Sequence, residues 1–81
     1  MKYVIADIRF DNEMFHTEYN STRDMAYLGS MYETFNNPVM KFNSLREANA
    51  YLSSLNPANA RRCIIMSIEE AFKYEKDMCS L

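Results

Sequence analysis

Residues 44–55 read Ser-Leu-Arg-Glu-Ala-Asn-Ala-Tyr-Leu-Ser-Ser-Leu. Ser44 followed three residues later by Glu47 is a capping box, in which the serine hydroxyl accepts the Glu47 amide and the glutamate carboxylate accepts the Ser44 amide. Apolar side chains then recur at helical spacing, at Leu45, Ala48, Tyr51, Leu52 and Leu55. Asn56-Pro57 ends the pattern, because the residue before proline avoids helical dihedrals. The stretch therefore predicts an amphipathic helix over about residues 44–55.

Strands are predicted on both sides of this helix. Residues 2–10 alternate between two faces with a period of two, which is typical of a half-buried strand. A shorter strand is predicted over 14–19, and residues 39–42 form a brief extended piece that leads into the helix. After the helix, the apolar run Cys63-Ile64-Ile65-Met66 within residues 61–68 indicates a central strand.

A second capping box, Ser67-Ile68-Glu69-Glu70, opens a helix predicted over about residues 68–78, with Phe72 on its inner side and Ala71, Glu75 and Met78 as further candidates. Residues 22–35 are ambiguous. Their apolar spacing fits a helix, but Gly29 weakens a helix and the aromatic content fits a pleated strand. A strand is the favoured reading, and a helix remains the alternative.

The whole chain, residues 1–81, is predicted to be a single domain of the α+β class. The elements assemble into a small, mostly antiparallel sheet of three or four strands, with one or two helices packed on one face. No apolar run approaches the roughly 20 residues that span a bilayer. With no secretory signal before the first strand, a cytoplasmic location is expected.

Composition argues against several classes of function. The net charge of −2 does not supply the basic patch that binds phosphates, so nucleic acid is an unlikely partner. The two cysteines are expected to be free thiols, as is usual in a reducing cytosol. Their spacing fits no zinc pattern, and one histidine leaves a four-ligand zinc site incomplete. With Gly29 as the only glycine there is no phosphate-binding loop. No metal, cofactor or catalytic residue is predicted.

His16 is the one candidate for acid–base chemistry. Glu18 lies two residues further along the predicted strand and would share its face, where it could orient the imidazole ring. The simpler reading is an exposed strand histidine beside an exposed carboxylate. Cys63 is read as a small core residue rather than a nucleophile.

The aromatic and methionine content between residues 15 and 42 exceeds what a core built on one helix can hold. Tyr and Met are enriched at protein interfaces, and Met adapts to irregular surfaces. The predicted binding surface, for a partner or a second copy of the chain, consists of Met25, Tyr27, Met31, Tyr32 and Phe35. A compact core that holds these side chains is the alternative.

Residues 39–52, from Val-Met-Lys-Phe-Asn-Ser-Leu-Arg-Glu-Ala to Tyr51-Leu52, precede the strand Cys63–Ile68. This arrangement, a strand entering a Phe-x-Ser-x-x-Glu-Ala helix that returns to a closing strand, resembles many small phage and prophage accessory proteins. The resemblance covers about residues 25–68. It implies a mobile-element accessory protein, a class that includes inhibitors of host defence enzymes, and it assigns no functional residue.

The sequence thus predicts a non-catalytic protein-binding module that acts on a protein partner, such as a host defence protein whose surface it occupies, or as a homodimer. The alternative function is a small enzyme or ligand-binding domain centred on His16 and nearby carboxylates.

Overall fold

The secondary structure follows the order β-β-β-α-α-β-α. The computed structural model describes residues 1–8, 14–18, 28–32 and 38–79. The elements are β1 (Tyr3–Asp7), β2 (Phe15–His16), β3 (Leu28–Gly29), α1 (Leu45–Ser53), α2 (Pro57–Ala60), β4 (Cys63–Ser67) and α3 (Ile68–Cys79). The α+β class predicted from the sequence is confirmed.

The four strands form one antiparallel sheet in the order β3-β2-β1-β4. The longest pairing joins β1 to β4, from Tyr3 opposite Ser67 to Asp7 opposite Cys63. The strand predicted within 61–68 is therefore present, but it lies at the edge of the sheet rather than at its centre. β1 and β2 are the two inner strands. Side chains of β4 pack on both faces of the sheet, as they would in a central strand, so the apolar run does not distinguish an edge position from a central one.

Residues 38–42 extend the sheet at one end, as the predicted extended piece requires. Val39 bridges Thr17, and Phe42 bridges Tyr3. The Tyr3 and Phe42 backbones exchange two hydrogen bonds, each 2.8 Å long. These contacts hold the segment that precedes α1 against the sheet, and α1 then begins at Leu45.

Helices cover both faces of the sheet, where the sequence predicted one. Alternate residues of a strand point to opposite faces. Val4 and Ala6 of β1 pack with Ala71 of α3 in one core cluster, whereas Ile5 packs with Ala48 of α1 in another. The alternation predicted for β1 is thus present, and the chain forms three layers with the sheet in the middle.

Both predicted capping boxes form, one of them with a shifted partner. Ser44 accepts the Glu47 amide at 3.1 Å, but the Glu47 carboxylate binds the amide of Asn43 rather than that of Ser44. At the start of α3 the exchange is reciprocal, since Ser67 Oγ accepts the Glu70 amide and the Glu70 carboxylate accepts the Ser67 amide. These bonds satisfy helix amides that would otherwise lack acceptors.

A buried carboxylate attaches α3 to the segment after β3. Ala71 and Glu75 are buried, in agreement with their place among the candidates for the inner side of α3. Phe72 is also predicted on the inner side, but it is 37 % exposed. Glu75 accepts the Met31 amide at 2.7 Å and also the hydroxyl of Ser30. Within the ambiguous stretch 22–35, residues 28–29 form β3 as the strand reading favoured, and residues 22–27 and 33–35 lie outside the described part of the chain.

Candidate functional site

The predicted binding surface is only partly within the described residues. Met31 is buried in the protein's own core, in the cluster beneath α3, so it does not lie on an exposed surface. Tyr32 is 58 % exposed, and its ring meets that of Phe72 edge-on with the centroids 5.1 Å apart. Met25, Tyr27 and Phe35 fall outside the described residues. Of the predicted residues, Tyr32 is thus the one that is both described and exposed, and its neighbour Phe72 is not part of the prediction.

A different surface is formed by the outer edge of β4, which no other described strand pairs. At the two ends of the β1–β4 ladder, the Ile8 amide donates to the Arg62 carbonyl and the Ile68 amide donates to the Lys2 carbonyl. The even-numbered residues of β4 are therefore the ones that form hydrogen bonds with β1. Because hydrogen-bonding direction alternates along an antiparallel strand, Ile65 points its backbone N–H and C=O away from β1. β4 therefore directs strand-pairing groups outward.

Within the described residues, β4 lacks two of the features that commonly prevent an edge strand from pairing. Natural edges are protected by charged side chains, proline or bulges. The sequence of β4 is Cys-Ile-Ile-Met-Ser, which contains neither a charge nor a proline. Ile64 is also 40 % exposed on the α3 face of the strand. The edge is thus both apolar and open to pairing.

A groove of about 500 Å³ runs between this edge and α3. Its lining consists of Ile64, Ile65, Met66, Glu70, Lys73, Tyr74 and Asp77. The strand residues and Tyr74 make its floor apolar, and the helix contributes charges of both signs along one flank. We refer to β4 and this groove together as the β4 edge surface.

A second candidate site lies on the opposite face of the sheet, beneath α1 and α2. His16 is 3 % exposed, which contradicts the expected exposed histidine, and the exposed Glu18 is not its partner. Its Nδ1 lies 2.9 Å from the Tyr51 hydroxyl and its Nε2 lies 3.5 Å from Cys63 Sγ. Burial lowers the pKa of His16 below its ordinary value, and the negative charge of Asp7 opposes that shift in part. The imidazole is accordingly neutral at pH 7.

Asp7 and Cys63 complete this cluster. They sit directly opposite each other on β1 and β4, and both are buried. One donor atom from each of Asp7, His16 and Cys63 lies within 4.8 Å of the other two. Arg62 Nε is 3.8 Å from the Asp7 carboxylate, and Cys63 Sγ donates to the Asn59 carbonyl of α2 at 3.3 Å. We call Asp7, His16 and Cys63 the buried donor cluster.

No local pattern along the chain indicates the buried donor cluster, because its members come from three different strands. Cys63 is buried and outside any disulfide, in agreement with the prediction, whereas the prediction pairs His16 with Glu18 rather than with Asp7. The available signal was the facing pattern of the strands: Asp7 and Cys63 occupy inward positions once β1 and β4 are paired. Finding the cluster required the strand order, which short-range patterns do not contain.

None of the helices in the described parts of the chain combines the length and the apolar character needed to cross a membrane. Comparison of the chain with protein-family models, with curated proteins and with solved structures finds no match.

Proposed function

We propose that the protein is a non-catalytic protein-binding module that pairs through the β4 edge surface, and that a second copy of the same chain is its occupant. The observation that carries this proposal is an edge strand with neither charge nor proline, Cys63–Ser67, beside a groove with an apolar floor. Main-chain hydrogen bonds from an added strand supply affinity in such contacts, and side chains seated in the groove supply specificity.

A two-fold contact centred on Ile65 suits the arrangement of backbone groups. Antiparallel pairing of two β4 strands brings the same outward N–H and C=O groups of each copy together, which is the self-complementary form that two-fold symmetry requires. The two sheets would then form one continuous sheet of eight strands, twice the four of a single chain.

Charges on the flank of the groove fit the same contact. Glu70, Lys73 and Asp77 lie on one side of α3, with the cation between two carboxylates. Two copies related by a two-fold axis can set Lys73 of each against a carboxylate of the other, so the helices beside the paired strands attract rather than repel. Such exposed pairs contribute little affinity, but they favour one orientation over others.

The size of the chain gives a reason for association. A domain of 81 residues buries only about 60–65 % of the surface that its unfolded chain exposes, so its own core is thin. Covering the β4 edge surface with a second copy buries further apolar area, and little additional chain has to become ordered. The resemblance to phage accessory proteins fits a binding role of this kind and supplies no residue of its own.

The alternative function, an enzyme centred on His16, is less favoured. The donor atoms of Asp7, His16 and Cys63 are buried beneath α1 and α2, whereas a general base or nucleophile must reach a substrate. The test of the favoured function is the oligomeric state in solution, compared between the wild-type chain and an Ile64→Lys variant. A wild-type monomer at high protein concentration would falsify self-association through this edge.

A further inference from the structure

We propose that the buried donor cluster, Asp7, His16 and Cys63, binds one zinc ion. Cys63 belongs to β4, but its side chain packs on the α1 side of the sheet and does not line the groove, so zinc binding and the pairing of β4 are tested separately. The cluster joins an oxygen, a nitrogen and a sulfur donor whose ligand atoms all lie within 4.8 Å of one another. No local sequence spacing brings them together; the pairing of β1 with β2 and β4 does.

The donor set selects the class of metal. Zinc accepts thiolate, imidazole and carboxylate ligands together, whereas magnesium and calcium take oxygen ligands almost alone. Imidazole and thiolate together point to zinc or a neighbouring divalent transition metal. Three protein ligands leave a fourth position, which a water molecule can fill.

The distance between the two softer donors suits tetrahedral coordination. His16 Nε2 and Cys63 Sγ are 3.5 Å apart. With Zn–S of about 2.3 Å and Zn–N of about 2.0–2.1 Å, a tetrahedral site places these two atoms about 3.6 Å apart. A zinc ion can thus be bound by both atoms with almost no change in the positions of β2 and β4.

The surroundings of the histidine suit a metal ligand as well. A histidine that binds metal through one ring nitrogen usually has the other fixed by a hydrogen bond. Here the Tyr51 hydroxyl of α1 lies 2.9 Å from Nδ1, which leaves Nε2 facing the thiol. Tyr51 is therefore a positioning residue for the site, and it does not itself contact the ion.

Charge balance explains how the ion can be buried. An isolated charge in a protein interior is strongly disfavoured, and paired charges are tolerated. The Asp7 carboxylate and the Cys63 thiolate together carry two negative charges, which offset the two positive charges of zinc, and the Arg62 guanidinium, 3.8 Å from Asp7 with its side chain 28 % exposed, keeps its own charge in contact with solvent. Binding releases the thiol proton and ends the Sγ hydrogen bond to the Asn59 carbonyl, so the affinity rises with pH.

The experiment titrates metal-free full-length protein with zinc in competition with a chromophoric chelator, and with cobalt(II) as a spectroscopic probe. We expect one zinc per chain, a thiolate-to-cobalt charge-transfer band and a rise in the melting temperature with zinc. Wild-type protein that binds no zinc, or a cobalt complex without the thiolate band, overturns the proposal whatever the variants do.

Four variants test this assignment. Cys63→Ser and Asp7→Asn each remove a proposed ligand and should lower zinc affinity by more than the roughly 10–100-fold that loss of an outer partner costs. Tyr51→Phe removes such an outer partner, so its loss of zinc affinity should lie within that range and its cobalt band should remain. Cys79→Ser is the matched control, because it removes the chain's other thiol and should leave affinity and spectrum unchanged. Loss of the band in Cys79→Ser with its retention in Cys63→Ser would show that the site lies elsewhere.

Discussion

The carboxylate of Glu75 accepts the backbone N–H of Met31 at 2.7 Å, inside the core. One side chain of α3 thereby fixes the segment that follows β3, 44 residues earlier in the chain. Glu75→Ala should lower the free energy of unfolding by about 2–3 kcal/mol, because a buried amide loses a charged acceptor. Urea denaturation measures this loss. Glu69→Gln, an exposed carboxylate of the same helix, should change stability by less than about 0.5 kcal/mol. Equal effects of the two substitutions would contradict the anchoring role.

The N-terminal cap of α1 should be worth about 1 kcal/mol. Ser44 Oγ accepts the Glu47 amide at 3.1 Å, and Ser44→Ala leaves that amide without its acceptor. Ser53→Ala, at the exposed last residue of α1, serves as the control and should be near neutral. Chemical denaturation compares their midpoints. An unchanged midpoint in Ser44→Ala would mean that the cap contributes nothing to stability.

The metal-free protein should lose stability as the pH falls below about 6.5. Burial lowers the pKa of His16 in the folded state, with Asp7 opposing, so between the unfolded and folded pKa values only the unfolded chain binds the proton. The contribution of neutral His16 is therefore complete above the unfolded pKa and declines as the pH drops. Tyr51, Cys63 and Arg62 are the other polar groups around the pair.

Unfolding free energies measured with a chelator at pH 7.5, 6.5 and 5.5 check this expectation. His16→Gln should remove the dependence over that range, since carboxylates titrate mainly at lower pH. An identical pH slope in the variant would assign the effect to another group.

The oligomeric state should depend on Ile64. Ile64→Lys places a charge on the β4 edge surface, and its aliphatic stem can still cover the strand, so the variant should be folded and monomeric. Leu45→Lys is the matched control, because Leu45 is 51 % exposed on α1, over the other face of the sheet, and should leave a dimer intact. Light scattering and circular dichroism distinguish dissociation from unfolding. Dissociation by Leu45→Lys alone would place the interface on the α1 side.

The Cys63 thiol should be slow to react in the folded protein. Its side chain is buried, so a thiol reagent reaches it only when the structure opens. In a Cys79→Ser background, where Cys63 is the remaining thiol, labelling should be slow in buffer and fast in denaturant. Two thiols should titrate in denatured wild-type protein without reductant. Fast labelling of the folded variant would show that α2 opens readily above β4.

Much of the fold was predictable because it depends on short-range signals. The capping boxes at Ser44 and Ser67 specify where two helices begin, and the period-two pattern of β1 specifies its two faces. Each signal acts over a few residues, so the chain alone is enough to read it. The short helix Pro57–Ala60 is not predicted, because Asn56-Pro57 indicates the end of α1, although Asn56 also caps the next turn.

The strand order and the candidate sites were not predictable in the same way. The apolar run of β4 is typical of central and edge strands alike when both faces of the sheet are covered. Similarly, the burial of His16 depends on Tyr51 and Cys63, which lie 35 and 47 residues away in the chain. Such properties follow from tertiary packing, and the local sequence around His16 carries no trace of them.

The pairing of β1 with β4 also sets the order of events during folding. Tyr3 pairs with Ser67, so the longest strand pairing of β1 can form only when almost all of the described chain is available. Contacts between distant parts of a chain form slowly, since loop closure must precede any gain from pairing. β1 and β4 can therefore pair only after the chain between Asp7 and Cys63 has closed into a loop. Helix α1 lies within this loop, and a helix needs only local contacts, so its formation would shorten the span that the loop has to close.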